Sequence, residues 1–107
     1  MKLPKTVKVG GHRIKIKQTK FSEIDGFGTH RRRDGIIEVA TDTADDQQRA
    51  TIVHEILHAC CAESGLRQKL GVGKPGLDEE DVVQAIEPFL FQVLNDNPDI
   101  VRFICKK

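Results

Sequence analysis

The chain contains no tryptophan and no tyrosine, and its aromatic residues are five phenylalanines, 5% of the whole. It therefore lacks the series of stacking rings on which single-stranded nucleic acid is usually held. No apolar run approaches the ~18 residues that a membrane-spanning helix needs, so no membrane partner is expected. The opening segment MKLPKTVKVGGHRIK has no apolar core of the kind a signal peptide carries, and it reads as mature protein. There are three cysteines, two of them the adjacent Cys60 and Cys61. Such a set is no disulfide framework and suits a reducing compartment, so a cytoplasmic protein is expected. Internal repeats and low-complexity segments are also missing, which excludes solenoids and arrays.

What remains is a chain of 107 residues, read as a single domain over residues 1–107 that can bury a modest core without staples. Its net charge is only +1, but the charge is divided. Residues 1–33 hold ten Lys or Arg against two acids, or +8, whereas residues 34–107 hold seven against fourteen, or −7. A basic stretch of this kind is one footprint of nucleic-acid binding. Its plainer explanation is a solvated strand face, and without a recognition helix or stacking motif nucleic acid is not expected as a partner.

Alternation marks the first third. In VKVGGHRIKIKQ, Ile14 and Ile16 alternate with Arg13, Lys15 and Lys17, the pattern of a half-buried strand. Gly10-Gly11 reads as the turn joining it to a first strand over Thr6 to Val9. EIDGFGTHRRRDG reads as loop, with Asp34-Gly35 as a hairpin signal. GIIEVAT reads as a strand with Ile37 and Val39 on one face. A long helix follows, capped by Asp42 or Thr43, with Asp45 and Asp46 at its positive end. It should run to about Ser64 and stop at Gly65. LRQKLGVGKPG reads as a loop. A second helix is expected from about Asp78 to Asn95, kinked or divided at Pro88. IVRFICKK is a terminal element of unassigned type. The order strands, helix, loop, helix defines an α+β domain with a small, mainly antiparallel sheet packed on a central helix and a second, C-terminal helix.

The central helix carries the chemistry. Between Ala50 and Ala62 the only polar side chains are Thr51, His54, Glu55 and His58. Polar groups set in such an apolar stretch need a compensating partner, and a metal ion is the leading candidate. His54-Glu55-Ile56-Leu57-His58 is an H-E-x-x-H pattern. On a helix its histidines stand about 6 Å apart along the axis and about 40° apart around it, so both rings can reach one ion. Zinc accepts neutral imidazole nitrogen at about 2.0–2.1 Å. Glu55, about 100° round from His54, is too far round to be the natural third ligand and is placed instead to act as general base.

Catalytic zinc takes three protein ligands. No histidine follows His58, so a downstream third ligand must be acidic, and DEEDVVQAIEPF supplies Asp78, Glu79, Glu80 and Asp81. The apolar face of Val82, Val83, Ile86, Leu90 and Val93 centres on Glu79, which favours that residue.

TIVHEILHACC followed by EEDVVQAI resembles the glutamate-ligand branch of the zincin metallopeptidases, the gluzincins. Over roughly Gly35 to Ile104 the chain is similar to small phage and prophage proteins with a minimal zincin core, and to ImmA/IrrE-like metallopeptidases. The resemblance implies zinc as cofactor, His54 and His58 as ligands, Glu55 as general base, and Glu80, with Glu79 as its alternative, as third ligand. It also implies a peptide or protein substrate laid along an edge strand, here Ile36 to Thr41, and for a phage-encoded protein the host cytoplasm. One feature departs from the pattern. Many such enzymes stabilise the oxyanion with a Tyr or His side chain, and this chain has no tyrosine; His30 or one of Arg31, Arg32 and Arg33 is the candidate.

Two function classes follow. One is a zinc-dependent peptidase. The other is a non-catalytic, zinc-stabilised binding or structural module of phage type, in which the metal serves folding. Oligomeric state is not legible at this stage.

Overall fold

The computed structural model describes residues 2–65 and 79–106, apart from the side chain of Glu80. The expected loop LRQKLGVGKPG and the expected helix start at Asp78 lie outside the described residues.

Among the described residues, eight elements follow one another: β1 (Thr6–Val9), β2 (His12–Thr19), α1 (Phe21–Ile24), β3 (Gly28–Arg31), β4 (Ile36–Ala40), α2 (Asp45–Ser64), α3 (Glu79–Asp96) and α4 (Pro98–Cys105). A 3-10 turn, Arg32–Asp34, joins β3 to β4. The architecture is α+β. The strand order is β1-β2-β4-β3; β1–β2 and β3–β4 pair antiparallel, while β2 and β4 pair parallel. The sheet is therefore mixed.

The hairpin β1–β2 forms where alternation requires it. Val7, Val9, Ile14 and Ile16 turn inward, and Gly10 makes the turn at φ +61°, a conformation that costs glycine little. Ile37 and Val39 add a third inward row from β4. Against them lie Ile52, Ile56, Ala59 and Cys60 of α2, Val93 of α3, and Ile100 and Phe103 of α4. Burying each Val, Ile or Phe side chain contributes about 1.5–3 kcal/mol, so one continuous core holds helices to one face of the sheet. The other face is left to Lys8, Arg13, Lys15, Lys17, Arg31 and Glu38.

The edge strand β1 is closed by side chains rather than by another strand. Gln92 accepts from the Gly10 amide at 2.7 Å and donates to the Lys8 carbonyl at 3.0 Å. Asn97 accepts from the Lys8 amide at 2.8 Å and donates to the Lys8 carbonyl at 2.9 Å. Satisfying an edge in this way removes a template for unwanted pairing and docks α3 and α4 onto the sheet.

Four expectations need correction. The segment read as loop from Glu23 to Gly35 contains the second half of α1 and all of β3. Neither Asp42 nor Thr43 caps α2: the N-cap is Ala44, Asp42 accepts from the Phe21 amide, and Thr43 donates back to the Ala40 carbonyl. Pro88 neither ends nor divides α3. It lies on the exposed side, where the carbonyl released by its missing N–H can turn to water. Finally, β4 is an interior strand, so Ile36 to Thr41 cannot be the edge that receives a peptide; the outer strand beside it is β3.

Candidate metal centre

Helix α2 ends where expected, on Gly65 at φ 76° with its amide on the carbonyls of Ala62 and Cys61. Its 20 residues place His54 and His58 one turn apart on one side and Glu55 on another. The Nε2 atoms of His54 and His58 stand 3.2 Å apart, with ring centroids 4.8 Å apart and ring planes at 73°. Two imidazole nitrogens bound to one tetrahedral zinc at about 2.0–2.1 Å lie about 3.3–3.4 Å from each other. The two rings thus converge on a point that suits a shared ion.

The sequence suggested that the two imidazoles and the Glu55 carboxylate are all buried. The structure buries only the carboxylate. Both histidines lie on the exposed side of α2, beside Val53 and Leu57, which are themselves 37% exposed. Glu55 carries the burial, at 5% exposure. Burial pushes its carboxyl above the ordinary 4.5, while His54 and His58 pull it down. A carboxylate with raised proton affinity beside two imidazole rings is suited to accept a proton and return it.

Glu55 is held by a close approach of strand to helix. A Cβ on Gly28 would lie 2.5 Å from the Thr51 methyl, 2.9 Å from the Glu38 carbonyl oxygen and 3.3 Å from Cγ of Glu55. Only glycine lets β3 pack here, so Gly28 positions the site although no metal-site pattern points to it. Thr51 is anchored by donating to the Gln47 carbonyl at 2.7 Å, and it accepts from the Gln47 side chain. Phe27, Gly28, Gln47, Ala50, Thr51, His54 and Glu55 line a cleft of about 260 Å³ that opens onto the general-base candidate.

The remaining candidates fall elsewhere. Glu79 is exposed at the first residue of α3, whose inward side runs through Ile86, Phe89 and Val93; Val83, counted on that face from sequence, is 49% exposed. The Glu80 side chain lies outside the described residues. Among the described residues, no group of three or more His, Cys, Asp or Glu side chains is placed to hold an ion. His30 is half-buried on β3 and lines a second cavity, of about 430 Å³, with His12, Arg32, Arg33 and Glu63, not the cleft of His54 and Glu55. Arg31 points to the opposite face of the sheet and pairs with Glu38 at 2.7 Å. Cys60 is buried in the core with its thiol pushed up to about 11, first by burial and then by Cys61 and Glu63, a setting that disfavours the reactive thiolate.

Comparison with known proteins returns no matching family model, no matching curated protein and no matching solved structure. The likeness to zincins therefore rests on the sequence alone, over roughly Gly35 to Ile104 and above all on His54-Glu55-Ile56-Leu57-His58. No helix among the described residues is long and apolar enough to cross a membrane.

Proposed function

We propose that the chain is a zinc-dependent peptide hydrolase in which His54 and His58 hold the metal and Glu55 is the general base. The observation that carries this is the convergence of the two Nε2 atoms at 3.2 Å beside the buried Glu55. At that distance one ring can also donate to the other, so what favours an ion over a simple His–His hydrogen bond is the buried carboxylate beside the pair. Glu80, or Glu79 in its place, is the third ligand. When bound, zinc supplies Lewis-acid polarisation of a carbonyl and acidifies a water. The residues of the chain do the rest. Glu55 accepts the proton from the attacking water and passes it to the leaving amine. The outer edge of β3, packed on α2 at Gly28, takes the peptide as an added strand, with the cleft at Phe27 and Thr51 beside it.

The test is Glu55→Gln. The variant should retain zinc, measured by elemental analysis, and lose cleavage of a peptide library by at least about 10²-fold, the lower end of what a positioned general base contributes. His54→Ala and His58→Ala should each lose the metal. Full activity in Glu55→Gln overturns the assignment, and so does metal-free protein isolated without chelators.

One observation favours the rival, a non-catalytic module stabilised by zinc. The cleft beside Glu55 contains no Tyr, Arg or second His to meet an oxyanion, and one such donor contributes about 10²–10³ in rate. That module binds zinc through the same histidines but shows no cleavage in the wild-type chain.

A further inference from the structure

We propose that the helix-free face of the sheet binds double-stranded nucleic acid through its phosphate backbone. The strand register assembles what the sequence only suggests. On β2, Arg13, Lys15 and Lys17 alternate with the core residues and share the outer face. Lys8 of β1 stands directly across from Arg13, and Lys17 directly across from Glu38. Arg31 of β3 lies on the same face, beyond Ile36 and in line with Lys15. The face therefore carries five cations and one carboxylate. That carboxylate, Glu38, is taken up by Arg31 at 2.7 Å and Thr29 at 3.3 Å. Lys8, Arg13, Lys15 and Lys17 are all exposed, and none makes an ion pair among the described residues.

Like charges placed opposite one another across strands destabilise a sheet. Here a cation faces a cation at Lys8 and Arg13, in a row with two more, and among the described residues no ion pair relieves them. An external polyanion does so. Along β2 the cations recur every ~6.6 Å, twice the strand rise, and adjacent strands are ~4.8 Å apart. The result is a flat lattice of positive charge suited to the dense, regular charge of a duplex, one phosphate per ~1.7 Å of axis.

The chemistry of the face narrows the partner. It presents no aromatic ring, so it lacks the stacking platform that single strands need and contacts phosphate rather than bases. Only Ile36 and Ala40 interrupt the polar side chains, and neither is exposed. That leaves nothing to insert into a lipid surface, where peripheral proteins bury an apolar side.

The measurement is fluorescence anisotropy of a labelled mixed-sequence DNA duplex of about 20 bp, titrated with the full chain over a salt series from about 50 to 200 mM. Four neutralised phosphates give a slope of log K against log salt of about −3.6. Lys15→Gln combined with Lys17→Gln should bring the slope near −1.8, and Lys15→Glu with Lys17→Glu should abolish binding, at unchanged melting temperature. If that reversal pair fails to fold, Lys8→Gln with Arg13→Gln should give the same halving. Polyglutamate, anionic phosphatidylserine vesicles and a single strand of equal length are measured at the same salt. No binding at the lowest salt overturns the proposal, as does a slope that the variants leave unchanged. Equal or tighter binding to polyglutamate, vesicles or the single strand overturns it in favour of that ligand.

Discussion

Glu55 is the only buried charged side chain among the described residues, and a fold built for stability alone has no use for it. Its burial works against the folded state whenever no cation is present. In metal-free protein the native carboxyl binds its proton more tightly than the ordinary 4.5, burial outweighing the pull of His54 and His58. The native state then keeps a proton that the unfolded chain has released, and stability falls as pH rises through and above that value. Glu55→Gln removes the titration. In chelated protein the variant should melt at a higher temperature than the parent near neutral pH, and the gap should close as the pH is lowered through about 4, where the parent carboxyl is protonated in both states. Thermal melts in EDTA across that range decide the point. A parent more stable than the variant at neutral pH means that the carboxylate is satisfied within the protein and not held ready for chemistry.

Elements differ in how far they can be read from sequence. Helix α2 was legible to its last residue because its apolar side, its acidic first turn and Gly65 all point the same way. The β1–β2 hairpin was equally plain. Strand β3 was not, since Gly28-Thr29-His30-Arg31 has no apolar alternation and forms because β4 offers it a ladder. Strand order was hidden for a related reason: the parallel pairing of β2 with β4 is fixed by packing between distant segments. Helix α4 did carry signals, Pro98 in its first turn and the apolar trio Ile100, Phe103 and Ile104, but the short apolar run IVRFI also fits a strand. At the site, His54, Glu55 and His58 were readable from spacing alone, while Gly28 was not, because its role depends on which strand reaches the helix. It also gives a prediction at this scale. Gly28→Ala places a methyl within 2.9 Å of the Glu38 carbonyl oxygen and 2.5 Å of the Thr51 methyl. Overpacking of that kind costs about 1–3 kcal/mol and moves β3 away from Glu55. Because His54 and His58 are both set by α2, zinc content should survive while cleavage falls. A variant as stable and as active as the parent excludes this positioning role.

The whole molecule keeps its basic sheet face, its core and the two histidines of α2 apart. The core joins the inward rows of β1, β2 and β4 to Ile52, Ile56, Val93, Ile100 and Phe103 without involving either imidazole, and both histidines face outward. A metal at that position adds binding energy to a fold already closed by its own apolar contacts and by the Gln92 and Asn97 clasp on β1. Ligand linkage then sets the size of its effect: at a free concentration of about 100 times Kd, zinc contributes about 2.7 kcal/mol, enough to raise the melting temperature without deciding whether the chain folds. Chelation at 25 °C should therefore leave the far-UV circular dichroism unchanged, lower the melting temperature by several degrees, and be reversed by added zinc. A zinc finger behaves in the opposite way, unfolding when its metal is withdrawn. Loss of helical signal on chelation at 25 °C identifies the metal as a structural staple and returns the chain to the non-catalytic class, whereas retained structure together with lost cleavage places the ion in the chemistry.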